Sequence, residues 1–182
     1  VDPVKALDLL SGVGLYKEPF HCINELLQNA VDSTLIKIWL DYPETDKDVP
    51  VDFRKNDQYR CYDIDMSIDR VTNESDSDEI VTWRIKVEDR GIGLSKSELT
   101  YLQQAGSSYK NKQRNSIIDG MPEWLKPSGV FGIGFQSIFS ITNEVLLKTK
   151  SFLTDDILDL ELISPRNNNS GDIRIKRIHS IY

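Results

Sequence analysis

Ser128, Gly129, Val130, Phe131, Gly132, Ile133, Gly134, Phe135, Gln136 and Ser137 set three glycines directly before an apolar run with helical spacing. This is the layout of an anion cradle. Glycine lets the backbone turn through positive φ and approach a ligand closely, and free N–H groups at a helix start favour phosphate oxygens. Glycine-rich turns that hold no ligand share the pattern, so the run decides nothing until two other segments are set beside it.

The first is Glu25, Leu26, Leu27, Gln28, Asn29, Ala30, Val31, Asp32, inside a helical pattern from about Phe20 to Thr34. At roughly 100° per residue, Ile23, Leu26, Leu27, Ala30, Val31 and Thr34 form one apolar arc, and Glu25, Asn29 and Asp32 gather within about 60° of one another on the other side. Two carboxylates and an amide on one face can bind a hydrated Mg²⁺ and activate a water. The alternative is a solvated face opposite a core stripe. The second segment is Val81 to Asp89, where Val81, Trp83, Ile85 and Val87 alternate with Thr82, Arg84, Lys86 and Glu88, the period of a strand with one buried face. Asp89 falls in phase with the buried set and therefore needs a donor. The Arg90, Gly91, Ile92, Gly93 turn after it leaves room for a flat ligand against the backbone. An Asp that merely caps the next helix would look the same.

In this order the three segments resemble the nucleotide-binding motifs of the GHKL ATPase superfamily, which joins gyrase-type topoisomerases, heat-shock chaperones, histidine kinases and mismatch-repair ATPases. The resemblance spans residues 20 to 150, and the run from Gly129 to Ser137 looks most like the ninety-kilodalton heat-shock chaperones. It implies roles residue by residue. Glu25 would be the general base, Asn29 the oxygen ligand of Mg²⁺, and Asp32 a supporting group on the pocket floor. Asp89 would accept a hydrogen bond from the adenine amino group, Gly91 and Gly93 would shape the adenine pocket, and Ile92 and Leu94 would form its apolar wall. The run Gly129, Val130, Phe131, Gly132, Ile133, Gly134, Phe135 would hold the phosphates. The implied cofactors are ATP and Mg²⁺, and the implied activity is ATP hydrolysis gated by a lid over residues 95–128. The alternatives are a regulatory module that binds ATP or ADP with little hydrolysis, and an interaction domain with a degenerate pocket. The chain departs from the chaperones where Gln104 precedes Ala105 and Gly106, a place where they carry a basic residue, which Lys110 or Lys112 would have to replace. It departs again where Asp172 follows Gly171, a place where they carry Thr.

Composition agrees with one nucleotide-binding domain over residues 1–182. With 39% hydrophobic and 28% charged residues the chain is ordinary for a soluble fold, and its net charge of −7 argues against a broad nucleic-acid surface. Cys22 and Cys61 supply no metal or disulfide framework, so a reducing, cytoplasmic setting is the default. Cys22 adjoins the apolar stripe of its helix. No apolar run approaches the roughly 20 residues of a membrane span. The resemblance places this domain in a longer protein, with companion domains and an ATP-dependent homodimer as expected partners.

Along the chain, the pattern predicts a short helix over Pro3 to Leu10, the helix from Phe20, and a strand over Leu35 to Asp41. A loop or insertion from Tyr42 to Asn56 follows. Tyr62, Ile64, Met66 and Ile68 should pair with the Val81 strand across an acidic tip at Asn73 to Glu79. Ser95 and Glu98 form a capping box, and Met121, Trp124 and Leu125 mark a packed part of the lid. A helix over Phe135 to Ile141 and strands at Glu144 to Phe152, Ile157 to Ser164 and Ile173 to Ile178 complete an α+β two-layer sandwich. Its sheet is mixed but mostly antiparallel, with helices on one face.

Overall fold

The computed structural model describes residues 20–43, 50–71, 81–103, 111–128, 134–164 and 172–180. The segments expected as a helix at Pro3 to Leu10 and as the acidic tip at Asn73 to Glu79 lie outside them. The fold is α+β, with helices and two antiparallel sheets.

Helix α1 runs from His21 to Asp41 and is longer than the sequence pattern suggests. Leu35 to Asp41, expected as a strand, is its last two turns. Length and periodicity cannot separate a short apolar run in a strand from one in a buried helix. Here Leu35, Ile36, Trp39 and Leu40, spaced one and four apart, gather on the cluster of Ile36, Ile92, Met121 and Leu125. Lys37 pairs with Asp41 one turn on. Ile36 and Ile92 are 0% and 1% exposed, and full burial of such side chains stabilises by about 1.5 to 3 kcal/mol each.

Strands β1 (Asp65–Val71) and β2 (Thr82–Glu88) form the expected hairpin, with Met66 opposite Val87 and Ile68 opposite Ile85. The expected burial of one face is reached only in part, with Ile85 and Val87 half-buried between exposed neighbours. Ile68 and Trp83 are 55% and 58% exposed, and Met66 and Val81 are also open. Alternation fixes which residues share a face. Whether another layer covers that face is a tertiary matter.

The second sheet is the meander β3 (Glu144–Lys150), β4 (Asp156–Ile163) and β5 (Asp172–Ser180), with an irregularity between Asp159 and Leu160. Leu158, Leu160 and Leu162 point to one side of β4 and are buried. Val145 and Leu147 stand opposite Leu162 and Leu160. The amino-terminal half of α1 covers this face through Cys22, Ile23 and Leu26, and burial pushes the Cys22 thiol pKa up. Between helix and sheet lies a 3₁₀ stretch, Gly134–Ser140, where the sequence pattern suggested an α-helix from Phe135. Tighter 3₁₀ winding points Phe135, Ile138 and Phe139 into the same cluster.

Short helices α2 (Leu99–Gln103) and α3 (Lys112–Gly120) follow the capping box, in which the Ser95 N–H and hydroxyl both donate to Glu98 at 2.8 Å. Met121 and Leu125 are buried, and Trp124 packs against their cluster, as their place in the sequence suggested. The expected insertion from Tyr42 to Asn56 holds a 3₁₀ turn at Phe53–Lys55, and a second at Asp57–Tyr62 takes in Tyr62, expected in the strand that instead begins at Asp65; their rings meet edge to face around Tyr42 and Tyr59.

Candidate functional site

The loop from Asp89 to Leu94 is stitched between two elements. The Ile92 N–H donates to the Ser33 carbonyl of α1 at 3.3 Å. On the other side, the Phe152 N–H donates to the Ile92 carbonyl at 2.8 Å, and the Leu94 N–H donates to Thr149 Oγ1 at 2.9 Å. Such closeness dictates both glycines. A Cβ on Gly91 would lie 2.0 Å from Ser33 Oγ, and one on Gly93, at φ 62°, would lie 2.0 Å from the Lys150 carbonyl oxygen. Ile92 turns into the core, and Leu94 is half-buried.

This stitching fixes Asp89. Its Oδ1 accepts the Gly91 N–H at 2.8 Å, closing an Asx turn. Asp89 is exposed, not buried with the inner face of β2 as the alternation suggested, though protein groups stand around its carboxylate. Burial raises its carboxyl pKa, opposed by the Gly91 N–H, by Arg90 and Arg114, and by the Ser33 hydroxyl.

Asp32 does not stand on a solvated face. It is 5% exposed, whereas Val31, expected in the apolar arc, is 38% exposed. Asp32 Oδ1 accepts from Gln28 Nε2 at 2.8 Å and from the Ser128 N–H at 3.1 Å. The polar face of α1 is therefore turned toward the residue that precedes the glycine run. Gly129, Val130, Phe131, Gly132 and Ile133 lie outside the described residues; Gly134 and Phe135 open the 3₁₀ stretch, with Phe135 packed against the α1 cluster. Glu25 is half-buried on the same helix, 3.8 Å from His21 Nδ1, and Asn29 is exposed between Glu25 and Asp32. The structure thus brings α1, the Asp89 loop and Ser128 together.

Sequence reasoning overlooked the groups that link α3 to this site. Asn111 caps α3 by accepting the Arg114 N–H at 3.1 Å, and its Nδ2 donates to Glu98 Oε1 at 2.7 Å. Arg114 lies in the field of Glu98, Asp32 and Asp89; burial lowers its pKa and the three carboxylates oppose that shift. An Asn before a helical stretch signals the cap. Nothing in the local sequence signals that Arg114 lies in the field of carboxylates on α1 and beyond β2.

Among the described residues no group of three or more His, Cys, Asp or Glu side chains is placed to hold a metal ion. None of their helices is long and apolar enough to cross a membrane. A cavity of about 560 Å³ that does not include Asp89 is lined by Leu35, Ile38, Phe53, Tyr59 and Tyr62 together with the charged Arg54, Arg60 and Asp63.

No protein-family model matches the chain. It is similar to the chaperone protein HtpG of Natranaerobius thermophilus, with 28% identity over 146 residues. That match covers 78% of this chain and 20% of the relative, so the chain spans about a fifth of the length of the curated protein it matches.

Proposed function

We propose that this chain is an ATP-binding module of chaperone type that uses Mg²⁺-ATP as a lid-gated switch. The observation that carries the proposal is the convergence of Asp89, anchored by a loop that tolerates only glycine at Gly91 and Gly93, with Asp32 and Ser128 at the mouth of the glycine run. The similarity to HtpG supports it.

In this reading Asp89 selects adenine. An ionised carboxylate is an acceptor only, adenine offers an amino group, and guanine offers a carbonyl at the matching position. Ile92 acts from the core, holding the loop against α1, and Leu94 supplies apolar wall. Main-chain N–H groups of the run through Gly134 and Phe135 take the phosphates. Asp32 fixes Ser128 and with it the entry to that run. The exposed amide oxygen of Asn29 is a hard donor suited to Mg²⁺, which takes oxygen ligands and keeps several waters, so nucleotide and water complete the shell without a carboxylate cage. Bound there, the ion would neutralise phosphate charge as the γ-phosphoryl leaves. Glu25 takes the proton of the attacking water. Residues 95–128, which include α3, form the gate, and the readout is passed to companion domains or a second copy.

Calorimetry with ATP, ADP and GTP in the presence of Mg²⁺, followed by turnover of Glu25→Ala, is the test. The proposal expects ATP and ADP to bind and GTP not to. Glu25→Ala should keep binding and lose turnover by about 10² to 10⁴, the usual contribution of a general base. Binding without turnover in the unaltered chain would favour the regulatory module, to which Gln104, standing where chaperones carry a basic residue, also points.

A further inference from the structure

One residue of α1 meets the Asp89 loop with both its main chain and its side chain. The Ser33 carbonyl takes the Ile92 N–H at 3.3 Å. The half-buried Ser33 side chain stands over Gly91, where the position of an added Cβ lies 2.0 Å from Ser33 Oγ, 2.6 Å from Ser33 Cβ and 2.7 Å from Asp89 Oδ1. Ser33 Oγ and Asp89 Oδ1 therefore flank one small space above a glycine that must stay a glycine. Oδ1 already accepts the Gly91 N–H at 2.8 Å. A carboxylate oxygen offers about two lone-pair sites. The Gly91 N–H and the Ser33 hydroxyl together fill those of Oδ1, which leaves Oδ2 for a ligand.

We propose that Ser33 is a positioning residue of the site, whose hydroxyl donates to Asp89 Oδ1 and so presents Oδ2 to the adenine amino group. The inference rests on the nucleotide reading of Asp89 and deepens it, assigning which oxygen the base meets and what aims it. A carboxylate held by one donor pivots about that bond, whereas a second donor from a different element fixes its plane. Here the first donor belongs to the loop and the second to α1, so the helix sets the direction of the acceptor. Ser33 also favours the charged form, since a hydrogen bond to an ionised carboxylate stabilises it. Arg90 in the loop and Arg114 on α3 favour it as well, through charge. Neither is altered when the Ser33 hydroxyl is removed.

The test is a ¹³C NMR titration of the Asp89 carboxyl in the 182-residue chain and in Ser33→Ala, both without nucleotide, followed by calorimetric ATP titration with Mg²⁺ at pH 7. Ser33→Ala keeps the Cβ and the carbonyl that takes the Ile92 N–H, and alanine favours the helix, so the variant should fold. Its Asp89 carboxyl should titrate at a pH higher by about 0.5 to 1, as expected for losing one hydrogen bond to the charged form. ATP should bind the variant about three- to tenfold more weakly. Merely structural damage would lower stability and affinity without moving the titration upward. An unmoved titration in the folded variant overturns the proposal whether or not nucleotide binds. A moved titration with equal ATP affinity in the two proteins overturns the presentation of Oδ2 to the base. If the titration moves and the unaltered chain binds no adenine nucleotide, Ser33 stands as the residue that orients Asp89 and the nucleotide reading falls.

Discussion

The Asp89–Leu94 loop and the β1–β2 hairpin that feeds it are neighbours in sequence and opposites in construction. Every backbone group described in the loop's stitching finds a partner on α1 or around β3, and Ile92 is 1% exposed. The hairpin has a regular ladder and a clean apolar face, Met66 and Ile68 opposite Val87 and Ile85, yet Ile68 is 55% exposed. Regular hydrogen bonding does not make a region structurally demanding. Close approach to a second element does.

The largest difference should come from the same substitution made in both regions. Ile92→Ala removes a fully buried side chain and should lower stability by about 2 to 5 kcal/mol, whereas Ile68→Ala should stay within about 0.5 kcal/mol. Denaturant melts of the two variants check this, and equal losses would mean that the hairpin face is covered. Gly93→Ala comes next. Its φ of 62° and the Lys150 carbonyl 2.0 Å from the added Cβ combine backbone strain with a collision, and a loss of at least about 2 kcal/mol is expected from left-handed strain and displacement of β3 together. The corresponding fall in Tm for a chain of this size is about 4 °C or more.

A subtler prediction concerns pH. Burial raises the Asp89 pKa above the usual carboxylate range, so protonation begins at a higher pH than for an ordinary Asp, near 3.9. The protonated carboxyl loses acceptor capacity, and adenine affinity should fall as pH drops through that raised value. For folding the sign is the reverse. A carboxyl that holds its proton more tightly when folded adds stability below its unfolded pKa, and that contribution disappears as pH rises through the folded value. Titrations across the acid range, repeated with Asp89→Asn, should show the affinity slope flatten in the variant.

This contrast also shows what could be read without coordinates. The alternation of Val81 to Glu88, the Ser95 and Glu98 box, and the apolar β4 positions Leu158, Leu160 and Leu162 each encode a local rule, and the strands, the cap and the inward face follow them. Leu35 to Asp41 carries two compatible rules, and packing on Ile92 and Leu125 chose helix. Asp32 was legible as part of a polar face, but its burial depends on Ser128, 96 residues away. Arg114 was illegible for the same reason: its carboxylate neighbours are distributed over α1, the capping box and the loop after β2. The roles proposed for Glu25 and Asn29 come from pattern and resemblance, and their positions on α1 agree with a shared face without fixing what it binds.

The central claim is that the stitched loop exists to present Asp89 to adenine. Calorimetric titration of ATP into the unaltered chain and into Asp89→Asn tests it most directly. The account predicts binding in the first and a loss of about tenfold or more in the second, equivalent to one charge-assisted hydrogen bond of about 1.5 to 3 kcal/mol, with folding intact. Equal affinity in a folded Asp89→Asn variant would contradict it.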